Sequence, residues 1–179
     1  MATIEQNPPL SFWEASDYSK TEYEGEPLTD ELLASVETEL GYTLPAAYVE
    51  LLKSQNGGIP ILRCYRTKQP TSWADDHIAI SGIYGINRSK PGSLCGDYRT
   101  QFWIDEWGYP DIGVYFSDCP SAGHDMVCLD YTLCGPRGEP RVVHVDQSSD
   151  YLVTVLANSF QEFVSGLISD EEFATGYRD

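Results

Sequence analysis

Positive charge is what this chain has least of. Eleven lysines and arginines stand against 28 acids in 179 residues, for a formal net charge of −17 and a pI near 4.3. A field of that sign repels nucleic-acid backbones and anionic membrane surfaces, so neither is expected as a partner, and it speeds encounter with a basic protein. It also has a plainer use, keeping a soluble chain apart from its neighbours. No apolar run approaches the length of a membrane span. The opening MATIEQNPPLSF has neither a basic start nor an apolar core, and is not expected to act as a secretory signal. The five cysteines, at 64, 95, 119, 128 and 134, have no disulfide-scaffold spacing. Reduced thiols in a cytoplasm are the simplest account. P-loop, dinucleotide-binding and nucleophile-elbow patterns are all missing, as are internal repeats and low-complexity tracts.

What is present is enough apolar material for one domain, 41% hydrophobic and 12% aromatic residues. The most legible stretch is 28–60, LTDELLASVETELGYTLPAAYVELLKSQNGGIP. Thr29 can cap a helix, Asp30 and Glu31 set negative charge against the positive end of its dipole, and Leu28 with Leu33 has staple spacing. Leu32, Leu33, Val36 and Leu40 form one apolar stripe that Gly41 can end. Pro45 suits the first turn of a second helix carrying Tyr48, Val49, Leu51 and Leu52. Asn56-Gly57-Gly58 reads as a helix stop and turn.

Residues 1–27 show no convincing period and read as an irregular lead-in that packs Phe12, Trp13 and Tyr18 on the domain. Positions 14–39 hold nine acids and one base, either a solvated face or an interaction face. Residues 77–86 read as a twisted strand leading into a turn, 87–100 as a loop, and 101–107 as a helical turn. Short strands are predicted over 112–116, 126–131 and 141–146, the last two forming an antiparallel hairpin with a long loop. Ser159 with Glu162 fits a capping box for a final helix carrying Phe160, Phe163, Val164 and Leu167; Ser169 with Glu172 can start one further short helix in the tail. The fold class is therefore α+β, a mostly antiparallel twisted sheet with helices packed from the N- and C-terminal segments. The domain is predicted over 28–168, with 169–179 as a tail.

The acidic amphipathic helix followed by ELGYTLPAAYVELL and NGGIP resembles the opening of the SUKH superfamily, in particular its Smi/Knr-type branch. ISGIYGI at 80–86, YPDIGVYF at 109–116, GHDMVCLDY at 123–131, GEPRVVHVD at 138–146 and ANSFQEFVSGL at 157–167 follow in the expected order. The resemblance implies an α+β domain without catalytic activity or cofactor. It also implies one of two roles: an immunity protein that neutralises a cognate bacterial toxin by direct binding, or an intracellular regulatory or scaffold module of the cell-wall-regulator type. Many such toxins are basic nucleases, which suit an electronegative inhibitor.

Two constellations invite a chemical reading. Cys119, His124, Asp125, Cys128, Cys134 and His144 are zinc-ligand types, but no paired knuckle spacing joins them, and packing is the favoured account. Likewise a Cys–His dyad needs a thiolate beside a positioned base, which the spacing does not single out. Trp103, Trp107 and Tyr109, interleaved with Asp105, Glu106 and Asp111, form an aromatic–acidic cluster. The favoured reading packs Trp103 and Trp107, four apart, inward from a helical turn; the other makes all six residues a partner-binding site.

Overall fold

A computed structural model describes residues 11–173. Five α-helices and seven strands follow one another as α1 (Asp17–Glu22), α2 (Asp30–Leu40), α3 (Ala46–Ser54), β1 (Cys64–Arg66), β2 (His77–Ala79), β3 (Gly82–Ile83), α4 (Thr100–Trp107), β4 (Gly113–Asp118), β5 (Asp125–Asp130), β6 (Arg141–Asp146), β7 (Leu152–Ala157) and α5 (Phe160–Ser165). β3 to β7 form an antiparallel meander in chain order, and β1 with β2 makes a separate two-stranded ribbon. The fold is α+β, as the sequence implies.

Local chemistry accounts for most helix ends. The Thr29 hydroxyl accepts from Leu32 N–H at 3.2 Å, and Gly41 closes α2 in the left-handed region at φ 78°. Pro45 sits one position earlier than expected, as the residue preceding α3 rather than inside its first turn. Ser159 caps α5 by accepting from Glu162 N–H at 3.1 Å, while Glu162 reaches back to Asn158 N–H at 3.2 Å. Ser169 opens a 3₁₀ turn over Asp170–Glu172.

Asn56-Gly57-Gly58 does more than stop a helix. Asn56 is buried; its side-chain N–H groups donate to the carbonyls of Glu26 and Ile86, both at 2.8 Å, and its oxygen accepts from Ile86 N–H at 2.7 Å. One amide thus ties the end of α3 to two distant segments. Gly57, at φ 89°, lies so close to Gly85 that an added Cβ would stand 2.6 Å from its nitrogen.

The core is aromatic. Tyr48, Phe116, Phe160 and Phe163 meet edge to face, with centroids between 4.8 and 5.8 Å apart, so α3 and α5 lock onto β4. The Tyr48 hydroxyl donates to the Tyr84 carbonyl. Every residue of β5 is buried, which requires cover on both faces because alternate side chains point to opposite sides.

Three readings of the sequence need correction. The single strand over 77–86 is two elements in different sheets, because Ile80 and Ser81 carry the chain from the ribbon into the meander. The hairpin of β5 and β6 is not the end of the sheet, since Leu152–Ala157 adds β7 as an edge strand, with Val153 and Val155 exposed. The lead-in contains α1, capped by Ser16, and pairs with the segment after α3 through Glu14 N–H to Ile59 O and Ile61 N–H to Phe12 O. Phe12 and Trp13 pack on the core as expected, whereas Tyr18 is 63% exposed.

Candidate functional site

The 101–107 turn is a full helix, and α4 separates two cavities. Thr100 anchors it to the sheet by accepting from Tyr115 N–H at 3.0 Å. On one side, facing α2, lies a cavity of about 690 Å³ bordered by Leu40, Arg99, Gln101, Ile104 and Asp111. On the other, facing α1, lies one of about 460 Å³ whose walls are mostly aromatic: Tyr18, Tyr23, Tyr98, Phe102, Trp103 and Trp107.

The structure divides the six candidate residues of the aromatic–acidic cluster. Trp103 is buried, donates from its indole to the Tyr98 carbonyl at 2.9 Å, and packs against Phe102, Trp107 and Tyr109. Tyr109 is buried beneath it and donates to the Gly123 carbonyl at 2.6 Å; burial pushes its phenol well above the usual range. Trp107 is half-buried, its ring 5.8 Å from Trp103 and 5.7 Å from His124. Asp105 and Glu106 are exposed on α4, with Asp105 accepting from Gln101 at 2.8 Å. Asp111 is exposed in the other cavity. The inward-packing reading therefore accounts for Trp103 and Tyr109, and the acids with the Trp107 edge make the accessible part.

At the floor of the aromatic cavity sits a carboxylate that sequence reasoning missed. Asp118 ends β4, and its two oxygens accept from the Tyr23 hydroxyl at 3.0 Å each. Burial pushes its carboxyl up to about 6, against the hydrogen bonds from Tyr23 and the backbone of Asp118 and Gly82. Glu22 lines the same cavity. The far wall is the turn between β4 and β5, where Ala122 holds φ 56° and Gly123 holds φ 94°. A Cβ on Gly123 would stand 2.9 Å from the Trp103 ring, so the turn needs glycine to lie against the indoles.

The cysteine–histidine window resolves into separate fates. Cys128 is a buried core residue, Cys134 is exposed, and exposed His124 pairs with Gln147 at 3.0 Å. Only Cys119, Asp125 and His144 converge, with one donor atom from each lying within 4.8 Å of the others. The His144 Nε2 to Asp125 Oδ2 distance is 2.7 Å, a direct hydrogen bond. Two donors on one tetrahedral zinc, each about 2.0 Å from it, stand about 3.3 Å apart. The three residues form a hydrogen-bonded acid–imidazole pair beside a thiol, in which Asp125 Oδ1 and His144 Nδ1 are buried without a partner. Burial pushes the Cys119 thiol well up, with Asp125 and Asp118 adding to the rise, the reverse of what activates a nucleophile. Asp146 accepts from Ser72 N–H at 2.8 Å, Ser72 Oγ at 2.7 Å and Ser149 Oγ at 2.9 Å; these bonds, helped by the nearby His144, outweigh its burial and hold its carboxyl below the usual range.

Among the described residues, no helix is long and apolar enough to cross a membrane. Compared with known families, residues 30–164 match the model SUKH_6, described as SMI1-KNR4 cell-wall. No curated protein matches the chain.

Proposed function

The chain belongs to the SMI1-KNR4 cell-wall family of SUKH proteins, and on that premise we propose that it is a non-catalytic cytoplasmic binding protein that neutralises a basic toxin domain, such as a nuclease, by covering it. The observation that carries this reading is the acidic display around α4. Asp105 and Glu106 are exposed on the helix that carries the Trp107 edge, and Asp111 is exposed in the cavity on its other side, in a chain of net charge −17. Aromatic edges flanked by acids are suited to arginine- and lysine-rich surfaces, and the whole-chain field steers such a partner into encounter. The raised Cys119 thiol speaks for binding rather than thiol chemistry.

The test is co-purification of the tagged protein with its neighbours at low and high salt. One dominant basic partner, toxic when expressed alone and released by salt, is the expected result. The family's description, which refers to the cell wall, favours a second reading as a regulatory or scaffold module. That reading predicts several weaker endogenous partners instead.

A further inference from the structure

We propose that the aromatic cavity between α1 and α4 is a socket for one arginine side chain of a basic protein partner. This deepens the binding role proposed above and rests on it for the identity of the partner as a protein.

Three observations converge on a guanidinium. The first is the wall. Tyr18, Tyr98, Phe102 and Trp107 present rings around a space of about 460 Å³, and ring faces attract cations. The second is the floor. Asp118 is held by the Tyr23 hydroxyl at 3.0 Å to each oxygen, and no lysine, arginine or histidine among the described residues pairs with Asp118 or Glu22. Asp118 is half-buried, and a carboxylate that lines a cavity without a cationic partner is an incomplete ion pair. The third is the combination of ring stacking with a carboxylate. Guanidinium is planar, weakly hydrated and able to donate two parallel hydrogen bonds while stacking on a ring, whereas an ammonium must shed a tighter water shell. The cavity is larger than one side chain, so residues flanking the arginine enter the mouth, where exposed Tyr18 and Tyr98 stand.

The turn over Ala122 and Gly123 fits this use. It holds two successive residues at positive φ, one of them with a side chain, and so brings the backbone against Trp103 and Trp107 to close the far wall. Strain of this kind persists where the surroundings impose it and is frequent at ligand clamps.

The intact protein is titrated with N-acetyl-arginine amide, with the lysine and citrulline counterparts alongside, and the indole N–H signals of Trp103 and Trp107 are followed by NMR. The expected result is saturable binding of the arginine probe with a Kd on the order of millimolar, as suits one charged hydrogen-bond pair and two ring contacts. Lysine binds several-fold more weakly, and citrulline, equal in shape but uncharged, does not bind. Asp118→Asn weakens the arginine probe about tenfold or more. Tyr98→Ala, at the exposed mouth, weakens it several-fold. No saturable shift, equal binding of citrulline, or undiminished binding by both folded variants overturns the socket. The probe is a single amino-acid derivative, so its failure is separate from failure of the toxin reading, which only co-purification judges.

Discussion

Tyr23 and Asp118 lie 95 residues apart in the chain, yet the hydroxyl of one bridges both carboxylate oxygens of the other at 3.0 Å. The contact joins the end of α1 to the end of β4 and holds a carboxylate where burial disfavours its charge. An acid kept at such a place costs stability, and its pH dependence has a definite sign.

The Asp118 carboxyl stands at about 6 in the fold against 3.8 in the unfolded chain. Below both values the group is protonated in either state and carries no penalty. As pH rises from about 4 to 6 the unfolded chain ionises first, so stability falls, and the loss is complete above about 6. Tyr18 and Glu22 from α1 and Tyr23 just after it, together with Tyr84, Tyr98 and Cys119, are the titratable groups around it. Asp118→Asn is expected to stabilise the protein by about 1–3 kcal/mol at pH 7 and to have little effect below pH 4, as read by denaturant melts across pH. Arginine-probe binding by the native protein is expected to weaken as pH falls through about 6, because the bound cation needs the ionised acid.

Asn56 makes three buried side-chain hydrogen bonds, to Glu26 O, Ile86 O and Ile86 N–H. Asn56→Ala leaves all three backbone groups without that partner. The expected cost is about 3–5 kcal/mol, seen as a melting temperature lower by about 10 °C. Asn56→Asp keeps the acceptor for Ile86 N–H but places a charge against two carbonyls, and is expected to lose comparable stability.

His144 Nε2 and Asp125 Oδ2 stand 2.7 Å apart, closer than two donors on one tetrahedral zinc. Added zinc, or a chelator, is expected to leave the melting curve unmoved, and metal analysis is expected to find less than one zinc per chain. A chelator-sensitive melt would show that the cluster opens to take an ion.

Asp105 and Glu106 are exposed on α4. Reversing both charges, Asp105→Lys with Glu106→Lys, is expected to change stability by no more than about 0.5 kcal/mol. Association with a basic partner is expected to slow about tenfold at low salt, with the difference shrinking at high salt, as measured by stopped-flow or surface binding kinetics.

The sequence by itself determined the elements whose signals are short-range. Thr29, Gly41, Ser159 and Ser169 act on backbone groups within a few residues, so their helix and turn ends are legible from spacing alone. The apolar runs of β4, β5 and β6 were legible within two residues, and the ordered words from 28 to 167 point to the family that matches 30–164. Leu152–Ala157 carried the same strand signal and was legible in principle. Tertiary structure decided what depends on residues far apart. Whether Trp103 faces water or the core is set by what lies beneath α4, which is Tyr109 and the Gly123 turn. The division of 77–86 between two sheets is set by pairing partners at Cys64–Arg66 and Ser117–Asp118. The aromatic cavity draws its walls from α1, the 84–98 segment, α4, the end of β4 and the turn after it, so no local window contains it. An acid such as Asp118 reads in sequence like any other of the 28. Its charge becomes costly, and therefore informative, only when folding half-buries it at a cavity without a cation beside it.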